Sequence, residues 1–350
     1  MTTAKATIYQ VAQRCAVSTA TVSRAMNGSA GMSVDTRRRV LATATETGWV
    51  PNGTAKALAS NRSGILGVLF HDLDSGDGLG LDSPLYLDRV LRGAEQAATA
   101  AGDALLIAAT RGRSGRDLAY SVAGKTDGLV LFARSLNQSD TAALAGLVPV
   151  VTVGRAGSRL PHDDVSVDNR GGMRLLVEHL LQTHGLRRLA FVSGPPRTPD
   201  SVARFAGFRD ALAATGLPIP DKPDADGEFT QSGGQLAAEA ILERERGVQA
   251  IVCANDEMAI GVRAVLARRR VRVPSDIAVT GFDDITASRY VSPSLTTVHQ
   301  PMREVGIQAI SLLLRRLREP TGPRRSVVLA TDAVVRRSCG CRPRAGPSKP

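Results

Sequence analysis

From Gly64 to about residue 317, short apolar runs alternate with stretches whose apolar residues recur at helical spacing. This alternation confines the chain to parallel sheets covered by helices on both faces. Strands are predicted at 65–70, 104–109, 128–132, 149–153, 165–168, 189–193, near Gly227, 250–253 and 277–281. Helices are predicted at 84–100, 170–184, 201–215, 232–246, 256–269 and 302–317. The pattern falls into two similar halves of a hundred-plus residues each, which predicts two doubly wound parallel-sheet subdomains around a cleft. Ligands in such sheets bind outside the carboxyl ends of the strands.

The first sixty residues follow a different rule. Ile8, Val11, Ala12 and Cys15 share one face of a helix over about 7–14, and 15–17 is too short for anything but a turn. The Ser18 hydroxyl suits an N-cap for a second helix over 19–26, which Asn27 and Gly28 stop. A third helix is expected over 35–47, ended by Gly48. Two short helices joined by a tight turn and braced by a third make a helix-turn-helix unit. The second helix of such a unit enters the major groove by its N-terminal end. Its outward residues here are Thr19, Ala20, Ser23 and Arg24, and Arg24 can pair bidentately with guanine.

Charge supports an anionic partner for this end of the chain. The net charge is +11, and residues 1–62 hold eight basic against two acidic residues, so +6 of it lies in this segment. No apolar run is long enough for a signal peptide or a membrane span, so a cytoplasmic protein without membrane attachment is expected. The cysteines are Cys15, Cys253, Cys339 and Cys341, too scattered for a disulfide framework. Cys339-Gly340-Cys341 offers two soft ligands at unusual spacing with no other Cys or His nearby in the sequence, so no metal or cofactor is expected. His179 and His184 read as helix-face residues.

The residues become specific in order. Thr7-Ile8-Tyr9-Gln10-Val11-Ala12, then 17–24 (Val-Ser-Thr-Ala-Thr-Val-Ser-Arg), Asn27-Gly28, Val34-Asp35-Thr36-Arg37, 48–52 (Gly-Trp-Val-Pro-Asn) and 55–58 (Ala-Lys-Ala-Leu) closely resemble the N-terminal signature of the lactose-repressor (LacI/GalR) family. The resemblance continues through Val167-Asp168-Asn169, Gly194-Pro195, 204–208, Ala254-Asn255-Asp256, 281–284 and 295–298. It implies a small all-α helix-turn-helix domain at 1–50, a hinge at 51–63, and an α/β periplasmic-binding-protein-like body at 64–340, with a flexible tail at 341–350. The N-subdomain is expected at 64–166 and 293–323, and the C-subdomain at 167–292 and 324–340.

The resemblance also implies function. Homodimers would bind double-stranded, palindromic operator DNA and repress transcription under control of a small-molecule effector. Thr19, Ala20 and Arg24 fall where the family reads bases; Tyr9, Ser18, Ser23, Asn27, Ser33 and Thr36 fall where it supports the fold or touches phosphates, and Thr7 and Thr21 are also expected at the DNA-binding face. Asn52 to Ser60 matches a hinge helix that folds in the minor groove, with Leu58 as an apolar wedge and Ala55 beside it. Arg204, Asn255 and Asp283 are the expected effector contacts, with Asp72 and Asp168 at strand ends and Tyr86 and Phe229 as aromatic walls. An arginine fork with an amide and a carboxylate suits the vicinal hydroxyls of a carbohydrate, although Arg204 could equally grip a carboxylate or phosphate. Asp256 and Asp284 read as helix caps.

Three departures from the family pattern stand out. Ala16 replaces a turn residue that is often Gly, Gly53 sits inside the hinge, and an Asp/Gly-rich insert fills 73–83 at the cleft mouth. The insert's glycines are out of register for a calcium loop and no Glu closes it, so a solvated loop or lid is expected. An enzyme is not expected, because nucleotide-binding, nucleophile-elbow and zinc-protease motifs are all missing. A periplasmic binding protein would need a leader and would lack residues 1–60. The tail carries no heptads, which favours a dimer over a tetramer.

Overall fold

A computed structural model describes residues 6–26, 31–50, 62–71, 85–110, 115–154, 161–244 and 247–341. The chain divides into two compact units, Met1–Gly64 and Ile65–Pro350.

The first unit contains α1 (Ile8–Arg14), α2 (Thr19–Met26) and α3 (Val34–Thr47). Val11, Ala12, Cys15, Val22, Ala25 and Val40 form its small core, which includes Val11, Ala12 and Cys15 of the helical face expected from the sequence. Thr7 caps α1 reciprocally with Gln10: the Thr7 hydroxyl accepts from the Gln10 amide, and the Gln10 side chain accepts from the Thr7 amide at 2.8 Å. Ser18 accepts from the Thr21 amide at 3.2 Å, and Gly48 ends α3 in the left-handed conformation.

The second unit holds two parallel sheets. The first runs β11 (Ser326–Leu329), β5 (Asp163–Val167), β4 (Val150–Val153), β3 (Gly128–Phe132), β1 (Ile65–His71), β2 (Ala104–Thr110). The second runs β7 (Ala225–Asp226), β6 (Leu189–Ser193), β8 (Ala250–Cys253), β9 (Ala278–Thr280). Their helices are α4 (Leu85–Ala100), α5 (Gly115–Ala123), α6 (Gln138–Ala145), α7 (Asn169–Thr183), α8 (Pro199–Ala214), α9 (Gln231–Arg244), α10 (Asp256–Arg268), α11 (Ala287–Tyr290) and α12 (Met302–Arg318). The strand order reverses at β1/β3 in one sheet and at β6/β8 in the other, and a crevice opens at such reversals.

The structure corrects the subdomain boundaries. Ser326–Leu329 pairs with β5 and belongs to the first sheet, whereas 324–340 was expected wholly in the second lobe. The chain returns to the second lobe only afterwards, through β12 (Asp332–Val334), antiparallel to β10 (Thr297–His299). Helix α6 and the short strands β10 to β12 carry too few periodic residues to stand out in the sequence, whereas α5 is amphipathic and was missed although its pattern is present. Cys341 is also no loose tail residue: Cys339 packs into the second lobe's core, and both cysteines lie against His179 and His184.

A buried ion cluster holds α12 to the edge of the first sheet. Asp163, fully buried, accepts from Arg316 Nε at 2.9 Å, from Arg315 Nη2 at 3.1 Å and from the Arg325 amide at 2.7 Å. Burial alone would raise this carboxyl, but these hydrogen bonds and the two guanidinium charges hold it below its ordinary value.

In the first unit, Ala16 has φ +48°, so the residue at the sharp turn between α1 and α2 bears a left-handed conformation that costs an L-residue about 1–2 kcal/mol. Glycine would relieve that strain and lose part of the gain to unfolded-chain entropy. Ala16→Gly is therefore expected to stabilise this unit by roughly 0.5–1 kcal/mol, readable in its thermal unfolding.

Candidate functional site

The crevice between the two sheets holds a cavity of about 140 Å³. The first lobe contributes Phe70 and His71 from the end of β1, Tyr86 from α4, Phe132 at the end of β3 with Ala133 and Arg134 after it, and Val153 at the end of β4 with Gly154 after it. Loops after β7, β8 and β9 bring Phe229, Asn255 and Asp283 from the second lobe, and α8 adds Asp200 and Arg204. Every sequence-derived effector residue within the described residues lines this cavity except one. Asp168 instead caps α7, accepting from the Gly171 amide at 2.8 Å, and faces solvent. Asp72 and the 73–83 insert lie outside the described residues.

Arg204 is the hub. Its Nε donates to Asn169 Oδ1 at 2.8 Å, its Nη1 donates to the Ala254 carbonyl at 2.6 Å, and Nη1 lies 3.3 Å from Asp283 Oδ1. The guanidinium sits 3.8 Å from the centre of the Phe282 ring, which fixes its plane. Asn169 in turn donates to Asp200 at 2.8 Å, and Gln300 donates to Asp283 at 2.5 Å. Nη2 of Arg204 makes no hydrogen bond among the described residues, which leaves one edge of the fork for a ligand.

Two carboxylates share this one cation. Burial pushes Asp283 up to about 7, with the charge of Asp200 adding to the shift and Arg204 and Gln300 opposing it. Burial likewise raises Asp200 against the pull of Arg204. Tyr86 is pushed upward by burial and by both carboxylates, so its hydroxyl stays a neutral donor. Asn255 is mostly committed locally: its Oδ1 caps α10 through the Met258 amide at 2.9 Å, and its Nδ2 donates to the Phe229 carbonyl at 3.0 Å.

Sequence reasoning missed Arg134, Asp200 and Glu257. Arg134 follows β3 in a loop with no helical or strand period to flag it. Its side chain lines the cavity and interacts electrostatically with Glu228 of the second lobe, while its Nη1 is buried without a hydrogen bond among the described residues. Asp256 and Asp284 are buried anchors and not helix caps. Asp256 accepts from Thr297 at 2.5 Å and from the Ile285 amide at 2.9 Å; Asp284 binds Arg336, Arg289 and His299.

Backbone strain gathers at the same place. Glu228, Phe229, Asp283 and Asp284 all have positive φ (+55°, +64°, +116° and +54°). Four non-glycine residues in that region cost about 1–3 kcal/mol each, and such strain concentrates where ligands are held.

In the first unit, α2 presents Ala20, Ser23 and Arg24 to solvent, with Thr19 and Thr21 half-buried, while Thr7 and Ser18 are spent on capping α1 and α2. Tyr9 is 74% exposed, which makes it available to a partner and not part of the core. Asn27, Asn52, Ala55 and Leu58 lie outside the described residues.

Known proteins share both units. Residues 7–52 match the model for bacterial regulatory proteins of the lacI family, and residues 177–339 match the periplasmic binding protein-like domain. The chain is 32% identical to the HTH-type transcriptional regulator GalR of Salmonella typhimurium (strain LT2), over 95% of this chain and 96% of that one. It is also 32% identical to the ribose operon repressor of Escherichia coli (strain K12), over 90% and 94% respectively. Among solved structures, the lac repressor dimer bound to operator and the anti-inducer ONPF superposes with a TM-score of 0.82 at 25% identity, covering 96% of this chain and 99% of that one. The transcriptional regulator CelR in complex with cellobiose gives 0.70 at 31% identity, covering 95% and 100%. The chain belongs to the lacI family of bacterial regulatory proteins: it is a DNA-binding transcription regulator with a helix-turn-helix unit ahead of a periplasmic-binding-protein-like body.

Proposed function

We propose that the chain is a cytoplasmic, homodimeric repressor whose hold on a palindromic operator is set by a carbohydrate bound in the cavity between the two sheets. The observation that carries this reading is the polar hub of Arg204, Asp283 and Asp200, which lines one aromatic-walled crevice together with Arg134 of the other lobe. Guanidinium forks and carboxylates together match the donor and acceptor pairs of vicinal hydroxyls, while Phe132 and Phe229 offer faces for the apolar side of a sugar ring. The relatives named as ribose operon repressor and as a cellobiose complex point to the same ligand class. No helix among the described residues is long and apolar enough to cross a membrane.

The test is a thermal-shift screen of mono- and disaccharides on the full chain, followed by operator binding with and without each hit. A sugar that raises the melting temperature and also changes operator affinity supports the reading; hits that leave operator affinity untouched overturn its regulatory half. Arg204→Ala is expected to weaken the sugar by about ten- to a hundredfold, the worth of a hydrogen bond to a charged group. Arg24→Ala should lose about 1–3 kcal/mol of discrimination between operator and mismatched DNA in fluorescence anisotropy, with sugar binding unchanged.

Asp283 adds a pH dependence whose sign is fixed. Its folded value of about 7 lies above the unfolded carboxylate value of about 3.9, so folding favours the neutral form. That contribution is complete below about pH 4 and is lost as pH rises through about 7. Asp283→Asn is therefore expected to shrink the fall in melting temperature between about pH 5 and about pH 8. Asp200 and Asp256, also raised, keep part of the slope.

A further inference from the structure

The second lobe carries a cluster that the effector site does not use. His179 on α7, His184 at the C-cap of α7, Cys339 and Cys341 bring their ligand atoms within 4.8 Å of one another. None of the four lines the effector cavity. We propose that these four side chains form a structural zinc site that fastens the end of the chain to the C-terminal end of α7.

The distances are those of a tetrahedron. Zinc–sulfur bonds of about 2.3 Å and zinc–nitrogen bonds of about 2.0–2.1 Å place ligand atoms about 3.3–3.8 Å apart along the edges. His179 Nε2 lies 3.6 Å from Cys339 Sγ and 3.6 Å from Cys341 Sγ, and His184 Nε2 lies 3.3 Å from Cys341 Sγ. The Cys339 thiol can also donate to the Arg336 carbonyl at 3.4 Å, but hydrogen bonds serve the two sulfurs around His179 unevenly. A single imidazole nitrogen can give one proton to one sulfur, yet Nε2 of His179 faces two at equal distance. A divalent cation satisfies both sulfurs and both nitrogens together.

The surroundings fit a metal. His179 Nδ1 is 3.2 Å from the Thr183 hydroxyl, which can hold the Nδ1–H tautomer and turn the Nε2 lone pair inward. Cys339 is 3% exposed and packs in the core of the second lobe, so one ligand is fixed by its neighbours. The histidines are spaced four residues apart in between, as structural zinc sites often have them, whereas Cys-x-Cys is tighter than usual. Gly340 makes that tight spacing workable. Its φ is +108°, a backbone conformation that side chains rarely adopt, so glycine is favoured between the two sulfurs. Four protein ligands leave no open position, which marks the site as structural.

The preceding residues show what the clip would hold. The Ser338 hydroxyl donates to the Val279 carbonyl at 2.5 Å and accepts from the Thr296 amide at 2.8 Å. The last passage of the chain is therefore already laid along the second lobe when it reaches Cys339.

The experiment uses the full chain, expressed in zinc-supplemented medium and purified without chelator. Elemental analysis should find about one zinc per chain. Stripped protein titrated with Co2+ alone should show the absorption of a tetrahedral cobalt centre together with thiolate-to-cobalt charge transfer. Returning Zn2+ should raise the melting temperature by roughly 5 °C or more. Cys341→Ser and His184→Gln, both at half-buried positions, should lose the metal and the cobalt spectrum. Retained operator binding would show that these variants fold. A folded wild-type chain that holds no zinc, and whose cobalt spectrum stays that of the hydrated ion, overturns the proposal. So does zinc that survives in both variants.

Discussion

The body depends on three chain crossings that lie side by side between its two lobes. The first is the turn from β5 into α7, the second is β10, and the third is β12. Val298 of β10 packs into the second-lobe core, and polar contacts hold the crossings to one another. Thr331 donates to the Asp168 carbonyl at 2.9 Å, tying the third crossing to the first, while β10 and β12 pair through Thr297–Val334, Val298–Ala333 and His299–Asp332. Helix α7 packs down on both strands at Gly172, where a Cβ would meet Thr331 at 2.4 Å and Val298 at 2.9 Å. Any larger residue at 172 would push α7 off the crossings.

The buried acids of the second lobe make sense in this frame. Asp256 accepts from Thr297 of β10, and Asp284 binds Arg336 just beyond β12 and His299 at the end of β10. Each carboxylate that looked like a helix cap in the sequence is a fastening for a crossing strand. Burying such groups is costly unless they are fully hydrogen-bonded, and an apolar pair of the same size would be cheaper. What a polar anchor adds is direction: it helps fix the register of a short three-residue strand.

Much of this was legible because periodicity reports burial. The helix-turn-helix core and the alternation of strand and helix follow from local pattern, whereas the cleft residues Tyr86, Arg204, Phe229, Asn255 and Asp283 were legible only through the family resemblance. Asp168 misled because a strand-end carboxylate has two equivalent-looking fates, ligand contact and helix cap, and only the position of the next amide decides. Arg134 and Asp200 carry no local pattern, since their meaning comes from what faces them across the crevice. Strand β11 was assigned to the wrong lobe for a related reason: four residues, Ser326 to Leu329, complete a sheet whose neighbouring strand lies some 160 positions earlier in the sequence. The same limit hid the surroundings of Cys339 and Cys341, because the histidines beside them belong to α7.

The crossings also explain how a ligand in the cavity can act at a distance. The Asp283 amide donates to the Val298 carbonyl of β10 at 2.8 Å, and Gln300, one residue past that strand, donates back to the Asp283 carboxylate. The acidic wall of the cavity is thus hydrogen-bonded directly to a lobe-crossing strand. Arg204, Asp200 and Asp283 all belong to the second lobe, whereas Arg134 lines the cavity from the first. A ligand that satisfies Arg134 and Arg204 together gains contacts on both sides only when the lobes approach. That difference in contacts between open and closed arrangements is the free energy available to shift their populations. A ligand held by the second lobe alone would bind without moving the equilibrium, however tightly it bound. Arg134→Ala would therefore separate the two effects, since it removes the first-lobe contact while leaving the hub around Arg204 whole.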